Sequence, residues 1–217
     1  MRGRMGPWVL CGALALGCGN APVATEESLR SLTLLHTADI HSRVRPFRSR
    51  ISRFEADLGL GKALALDEIG GAARLGTLLR AERAAAEHAG TPWLWLDSGD
   101  ALEGAEVFHR FGGRLELELL SELGLGAMAL GNHELSLGAE ELADLFGAEA
   151  AFPLLSANVR PRAGSPLERV LAPSALLRIA GVQVGVVGVA NPSSPPNWGS
   201  ADNPWQLEVA SEQARAV

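Results

Sequence analysis

Apolar and polar positions fall into alternating blocks along the chain, with short β-rich runs giving way to longer helical patterns. "SLTLLHTADI" (31–40) predicts a buried strand, and "GGAARLGTLLRAERAAAEHAG" (70–90) an Ala/Leu/Arg-rich helix that starts near Gly71 and stops at Gly90. "TPWLWLDSGD" (91–100) predicts a second strand. "GRLELELLSELGLG" (113–126) is helix-like, with Leu115, Leu119, Leu120 and Leu123 on one apolar face. "GAMALGNHE" contains a third strand, "GAEELADLFGAEA" another helix and "FPLLSANV" a fourth strand. "ALLRIAGVQVGVVGVA" predicts a hairpin turning near Ala180 and Gly181. Strands alternating with helices in this way imply an α/β layered fold.

The start of the chain follows a different logic. "MRGRM" is positively charged, "GPWVLCGALALG" is apolar but too short to span a bilayer, and "CGN" ends it with small residues, which together predict an export signal over 1–18. "LALGC" resembles a bacterial lipoprotein signal, in which Cys18 would become the lipidated first residue. Residues 19–30 then read as a polar tether and 31–217 as the folded part. The protein is therefore expected to be exported, either periplasmic or held at a membrane by a lipid anchor. Both cysteines, Cys11 and Cys18, fall in the leader, so the folded part offers no thiolate, and any metal site must use His, Asp, Glu or Asn. A length of 217 residues with 47% hydrophobic composition suits one core. The formal charge of -6 argues against a nucleic-acid binder.

Three polar clusters share an address. Asp39 and His41 follow the first predicted strand, Asp97 and Asp100 the second, and Asn132, His133 and Glu134 the third. Ligands of open α/β sheets bind outside the carboxyl ends of the strands, so the three clusters are expected to converge on a metal site. Asp97 reads as a supporting or structural residue rather than a ligand. His36, in the first strand, His88, in the Ala-rich helix, and His109, in a loop after "GDALEG", read as packed or solvated histidines. The run "SRVRPFRSRISR" places five arginines in a loop after the first cluster, where they either raise the potential at a catalytic mouth or form a solvated surface. Asn158, ending the fourth strand near the same edge, is a further candidate for supporting the site.

The stretches "LLHTADIHSR", "GGAARL", "LDSGDALEG", "MALGNHELSLG", "FPLLSANV" and "GVQVGVVGV" occur in an order that resembles the metallophosphoesterases, specifically their bacterial periplasmic 5'-nucleotidase branch. The resemblance implies a four-layer α/β/β/α sandwich of the metallo-dependent phosphatase type. It also implies a centre of two divalent metal ions that hydrolyses a small-molecule phosphate ester such as a nucleotide. Asp39 and His41 would hold one metal, Asp100 would bridge both, Asn132 would hold the second, and His133 would act on the phosphoryl group as general acid or charge stabiliser. Oxygen and imidazole ligands without sulfur suit Mn, Zn or Fe.

Two departures from the family pattern stand out. Ser136 occupies the position three after the motif histidine, where the family usually has Asp, so His133 is expected to be a weaker acid. No histidine follows His133, whereas the family completes its centre with later histidines. The chain is accordingly expected to be the front part of a longer catalytic domain, incomplete at its C-terminus. The alternatives are a catalytically silent metal- or phosphate-binding lipoprotein and a truncated, non-functional fragment.

Overall fold

The structure, a computed structural model, describes residues 31–191 and 207–209. The expected signal, tether and lipidation site at Cys18 lie outside the described residues. Eleven strands are described: β1 (Thr33–Thr37), β2 (Phe47–Arg50), β3 (Leu66–Ile69), β4 (Trp93–Asp97), β5 (Ala127–Ala129), β6 (Leu154–Leu155), β7 (Val159–Pro161), β8 (Leu171–Ala172), β9 (Ser174–Ile179), β10 (Val182–Val187) and β11 (Leu207–Val209). Five α-helices accompany them: α1 (Arg53–Asp57), α2 (Ala72–His88), α3 (Glu106–Phe111), α4 (Arg114–Glu122) and α5 (Ala139–Glu149).

A parallel sheet of order β1-β4-β5-β6-β8 organises the molecule. Parallel neighbours require crossovers, and α2, α4 and α5 supply the first three, while β7 and a 3-10 turn at Pro166–Arg169 connect β6 to β8. One face of the sheet buries Trp95 and Met128 against Leu79 of α2, Leu117 and Leu120 of α4, and Leu142 and Phe146 of α5. Each such side chain contributes about 1.5–3 kcal/mol through burial. Leu94 alternates with Trp95 and lies on the opposite face, where a Cβ at Gly126 would meet both Leu94 and Leu177 of β9. The β9–β10 hairpin thus lies against the second face of the sheet.

The hairpin turns where the sequence predicts. Ile179 pairs with Val182, leaving Ala180 and Gly181 as a two-residue loop with φ of 47° and 82°. Consecutive positive φ values match the right-handed twist of the strands on either side.

Four expectations are corrected. β1 is not a buried strand: it lies at an edge of the sheet, its residues alternate between half-buried and exposed, and Leu34 is 58% exposed. The arginine-rich segment is not simply a loop, because Phe47–Arg50 pairs antiparallel with β3, and α1 follows. Ser52 and Glu55 start α1 with a reciprocal capping box, a signal readable in "SRFE". His109 sits in the last turn of α3 rather than in a loop. On α4 the buried residues are Glu116, Leu117 and Leu120, while Leu115, Leu119 and, just past its end, Leu123 are half-buried. Leu119 and Leu123 line a partly open cavity shared with Leu75 and Leu78 of α2, which explains their intermediate burial.

Candidate metal centre

Three chain segments leave the carboxyl ends of β1, β4 and β5 and are bonded to one another. Beyond β1, the amides of Asp39, His41 and Ser42 donate to the carbonyls of Gly99, Asp100 and Ala101 at 3.1, 2.9 and 2.9 Å. The third segment joins through His133, whose amide donates to Asp100 Oδ1 at 2.9 Å. Residues remote in sequence therefore approach along a continued, irregular ladder.

Glu134 fixes this junction. Its side chain is fully buried, and its two oxygens accept four backbone N–H groups: Ala101 and Leu102 on Oε1 at 2.9 and 3.2 Å, Asp100 and Gly131 on Oε2 at 3.0 and 2.9 Å. Burial pushes its carboxyl up to about 7, against the downward pull of the N–H donors of Leu102, Asp100 and Gly131. Sequence reasoning placed Glu134 in the third cluster without giving it this role. Gly131 must stay a glycine, because a Cβ there would collide with the backbone N and Oδ1 of Asp100 and with the Glu134 carboxylate.

The side chains of His41, Asp100 and His133 each place a potential ligand atom within 4.8 Å of the others. The His41 and His133 rings meet edge to face, with centroids 4.4 Å apart. Asp39 stands beside this group rather than inside it: its carboxylate lies 3.6 Å from His41 Nε2 and its side chain is 67% exposed. Asn132 directly precedes His133, is half-buried, and its carbonyl accepts the amide of Leu135. The His41 imidazole with the Asp100 and Asp39 carboxylates nearby and no sulfur fits a borderline divalent ion, with the His133 ring beside them. Backbone strain gathers at the same place. Asp39, His41, Ser42, Asp100 and Glu103 are five of the seven non-glycine residues with positive φ among the described residues. Such conformations cost about 1–3 kcal/mol each and persist where surrounding structure over-determines them.

The remaining expected residues have other partners. Asp97 is buried, with Oδ2 accepting from Thr37 Oγ1 at 2.5 Å and Oδ1 accepting from the Gly99 amide at 2.8 Å. Thr37 Oγ1 in turn accepts from Trp95 Nε1 at 2.9 Å. Asp97 therefore ties the strand ends together from behind. Asn158 has Ala190 as its partner: its Oδ1 and Nδ2 clamp the N–H and carbonyl of Ala190, each at 2.8 Å. Ser136 donates to the His133 carbonyl at 2.8 Å and so bonds the backbone rather than the ring. A residue that the sequence did not single out, Glu103, places its Oε2 3.0 Å from His133 Nδ1. His36 bonds Ser98 Oγ at 2.7 Å and lies outside the three-residue group.

Desolvation raises the Asp97 pKa above its ordinary 3.8, against the pull of Thr37, Gly99 and His36. The folded state thus holds this proton more tightly than the unfolded chain. Its contribution to stability is fully present below 3.8 and is lost as pH rises through the raised folded value. In Asp97→Asn that dependence disappears. The stability of the wild type relative to the variant, read from urea midpoints, is expected to decline as pH rises from 3.8; a flat or rising difference would contradict this.

Comparison with known proteins gives these residues relatives. The chain is 35% identical over 187 residues to the snake venom 5'-nucleotidase of Gloydius brevicauda, covering 85% of this chain and 28% of that protein. It is 34% identical over 184 residues to the Bos taurus 5'-nucleotidase, covering 84% of this chain and 29% of the other. The crystal structure of a 5'-nucleotidase precursor from Thermus thermophilus superposes with a TM-score of 0.61 at 32% identity, over 74% of this chain and 29% of that one. The chain thus spans less than a third of the length of these relatives. No protein-family model matches it. The sequence identity, the metallo-dependent phosphatase fold shared with the Thermus structure and the strand-end cluster agree, and the chain is a homologue of the 5'-nucleotidases over most of its own length.

Proposed function

We propose that the protein takes part in metal-dependent hydrolysis of phosphate esters, with a nucleotide 5'-phosphate as the substrate class. The observation that carries this reading is the convergence of His41, Asp100 and His133, from three strand ends, to within 4.8 Å. In this reading Asp39, His41, Asp100 and Asn132 hold two divalent ions. Bound there, the ions supply charge neutralisation and a nucleophile at neutral pH. Assigning Asp100 to the shared position is supported by the pinning of its backbone by Glu134 and of its Oδ1 by the His133 amide. His133 hydrogen-bonds or protonates the phosphoryl and leaving-group oxygens. Arg43, Arg45 and Arg110 line a neighbouring pocket of about 440 Å³ and raise the positive potential at its mouth, favouring an anionic substrate.

The apolar leader followed by "LALGC" supports export of the protein and lipid attachment at Cys18, followed by a tether over 19–30. No helix among the described residues is long and apolar enough to cross a membrane.

The test is phosphate release from AMP and from 4-nitrophenyl phosphate by the purified chain, loaded in turn with Mn, Zn and Fe. We expect metal-stimulated release that is abolished by a chelator and restored by re-addition of the ion. Calorimetric binding of the ion without release would instead support the silent, metal-binding alternative. Absence of both would reject the reading.

A further inference from the structure

Glu103 has no place in the assignments above, yet it is the carboxylate in contact with the imidazole of His133. It leaves the loop after β4 with a φ of 60°, a conformation that L-residues avoid and that needs support from its surroundings. That support comes from both sides. The amides of Ala101 and Leu102 are held by Glu134, and Gly104 packs so closely on His41 that a Cβ would lie 3.0 Å from His41 Cβ and 3.1 Å from its Nδ1. The loop is thereby aimed so that Glu103 Oε2 reaches His133 Nδ1 at 3.0 Å, across 30 residues of sequence.

The contact has the geometry of a hydrogen bond in which a carboxylate oxygen would accept from His133 Nδ1–H. The imidazole is then left with Nε2 as its free nitrogen, in a fixed ring orientation. Ser136 does not compete, because its hydroxyl is directed to the His133 carbonyl. Glu103 and His133 are both partly open to solvent, at 38% and 33%, so a substrate can approach the ring without first displacing the loop.

We propose that Glu103 is the positioning residue for His133, holding the imidazole with Nδ1–H toward the carboxylate and Nε2 toward the reacting phosphoryl group. The inference rests on the phosphoesterase reading for its catalytic meaning, but its structural half can be tested without it. A carboxylate on the far side of a catalytic imidazole governs tautomer and aim rather than substrate binding, so its loss should appear in kcat more than in KM.

The experiment combines 15N NMR of histidine-labelled, metal-free chain with steady-state kinetics of the metal-loaded protein on 4-nitrophenyl phosphate, His133 signals being assigned by their loss in His133→Gln. In the wild type we expect the His133 ring to be protonated at Nδ1. Glu103→Ala should shift the ring toward the Nε2–H tautomer and lower kcat on the order of 10- to 100-fold, with KM changed by less than about twofold. Glu103→Gln keeps an acceptor oxygen at the same reach. It should retain the tautomer with an intermediate kcat, and it keeps the proposal testable if the alanine variant folds poorly. An unchanged His133 tautomer in Glu103→Ala overturns the inference, as does a changed tautomer with unchanged kcat. If the wild type releases no phosphate, the phosphoesterase reading fails separately, and the NMR result alone then decides the positioning.

Discussion

Glu134→Ala is expected to lower the unfolding free energy by about 3–5 kcal/mol, measured as a drop in urea midpoint with little change in the steepness of the transition. The substitution removes the carboxylate that accepts four backbone amides, those of Asp100, Ala101, Leu102 and Gly131, in a place no water reaches without opening the fold. Each buried amide left without a partner costs about 1–3 kcal/mol, and partial collapse of the loops recovers some of the total. Glu134→Gln distinguishes geometry from volume. It fills the same space but presents an NH₂ group to two of the four donors, so it too should be destabilised by roughly 2 kcal/mol or more. If either variant matched the wild type in stability, the loops after β4 and β5 would have to be held by contacts other than this carboxylate.

Asp100→Asn should separate shape from charge. The amide oxygen of asparagine can still accept from the His133 amide, which Asp100 Oδ1 does at 2.9 Å, and the backbone bond to Glu134 is unaffected. Stability is therefore expected to stay within about 1 kcal/mol of the wild type. Function should not follow stability. Removing the negative charge from the position proposed to be shared by two cations is expected to weaken divalent-ion binding at least about 100-fold and to lower phosphate release by at least about 1000-fold, equivalent to roughly 4 kcal/mol of barrier. Ion titration by calorimetry, alongside the phosphate assay, checks both numbers. A variant that bound ions normally yet released no phosphate would remove Asp100 from the ligand set.

These two residues also mark how far the sequence could be read. Asp100 was legible because a polar residue after an apolar run and a glycine turn announces a strand end, and strand ends in parallel sheets converge. The same logic located Asp39, His41, Asn132 and His133, and the apolar alternation around Ala180 and Gly181 located the hairpin. Glu134 and Glu103 were not legible in their roles. Glutamates are usually solvated, and neither burial beneath the loops after β4 and β5 nor a bond to a ring 30 residues away leaves a periodic trace. The β2–β3 pair was missed for a related reason. "FRSR" and "LDEI" offer little apolar alternation, and their pairing is visible only once the chain between them closes. β1 misled in the other direction, since an apolar run such as "TLLHT" reads the same at the edge of a sheet as in its centre.

The loop-to-loop bonding beneath the cluster also governs when the site exists. Thr37 and Asp97 meet across 60 residues, and Glu134 reaches Asp100 across 34, so the cluster as a whole does not form from neighbours in the chain. Parallel pairing of this kind closes large loops before any contact rewards it, which makes it slow relative to helix formation. A refolding chain therefore acquires helical content first and affinity for ions last. Under the proposed function, cations held there reinforce the end point of folding rather than guiding its start.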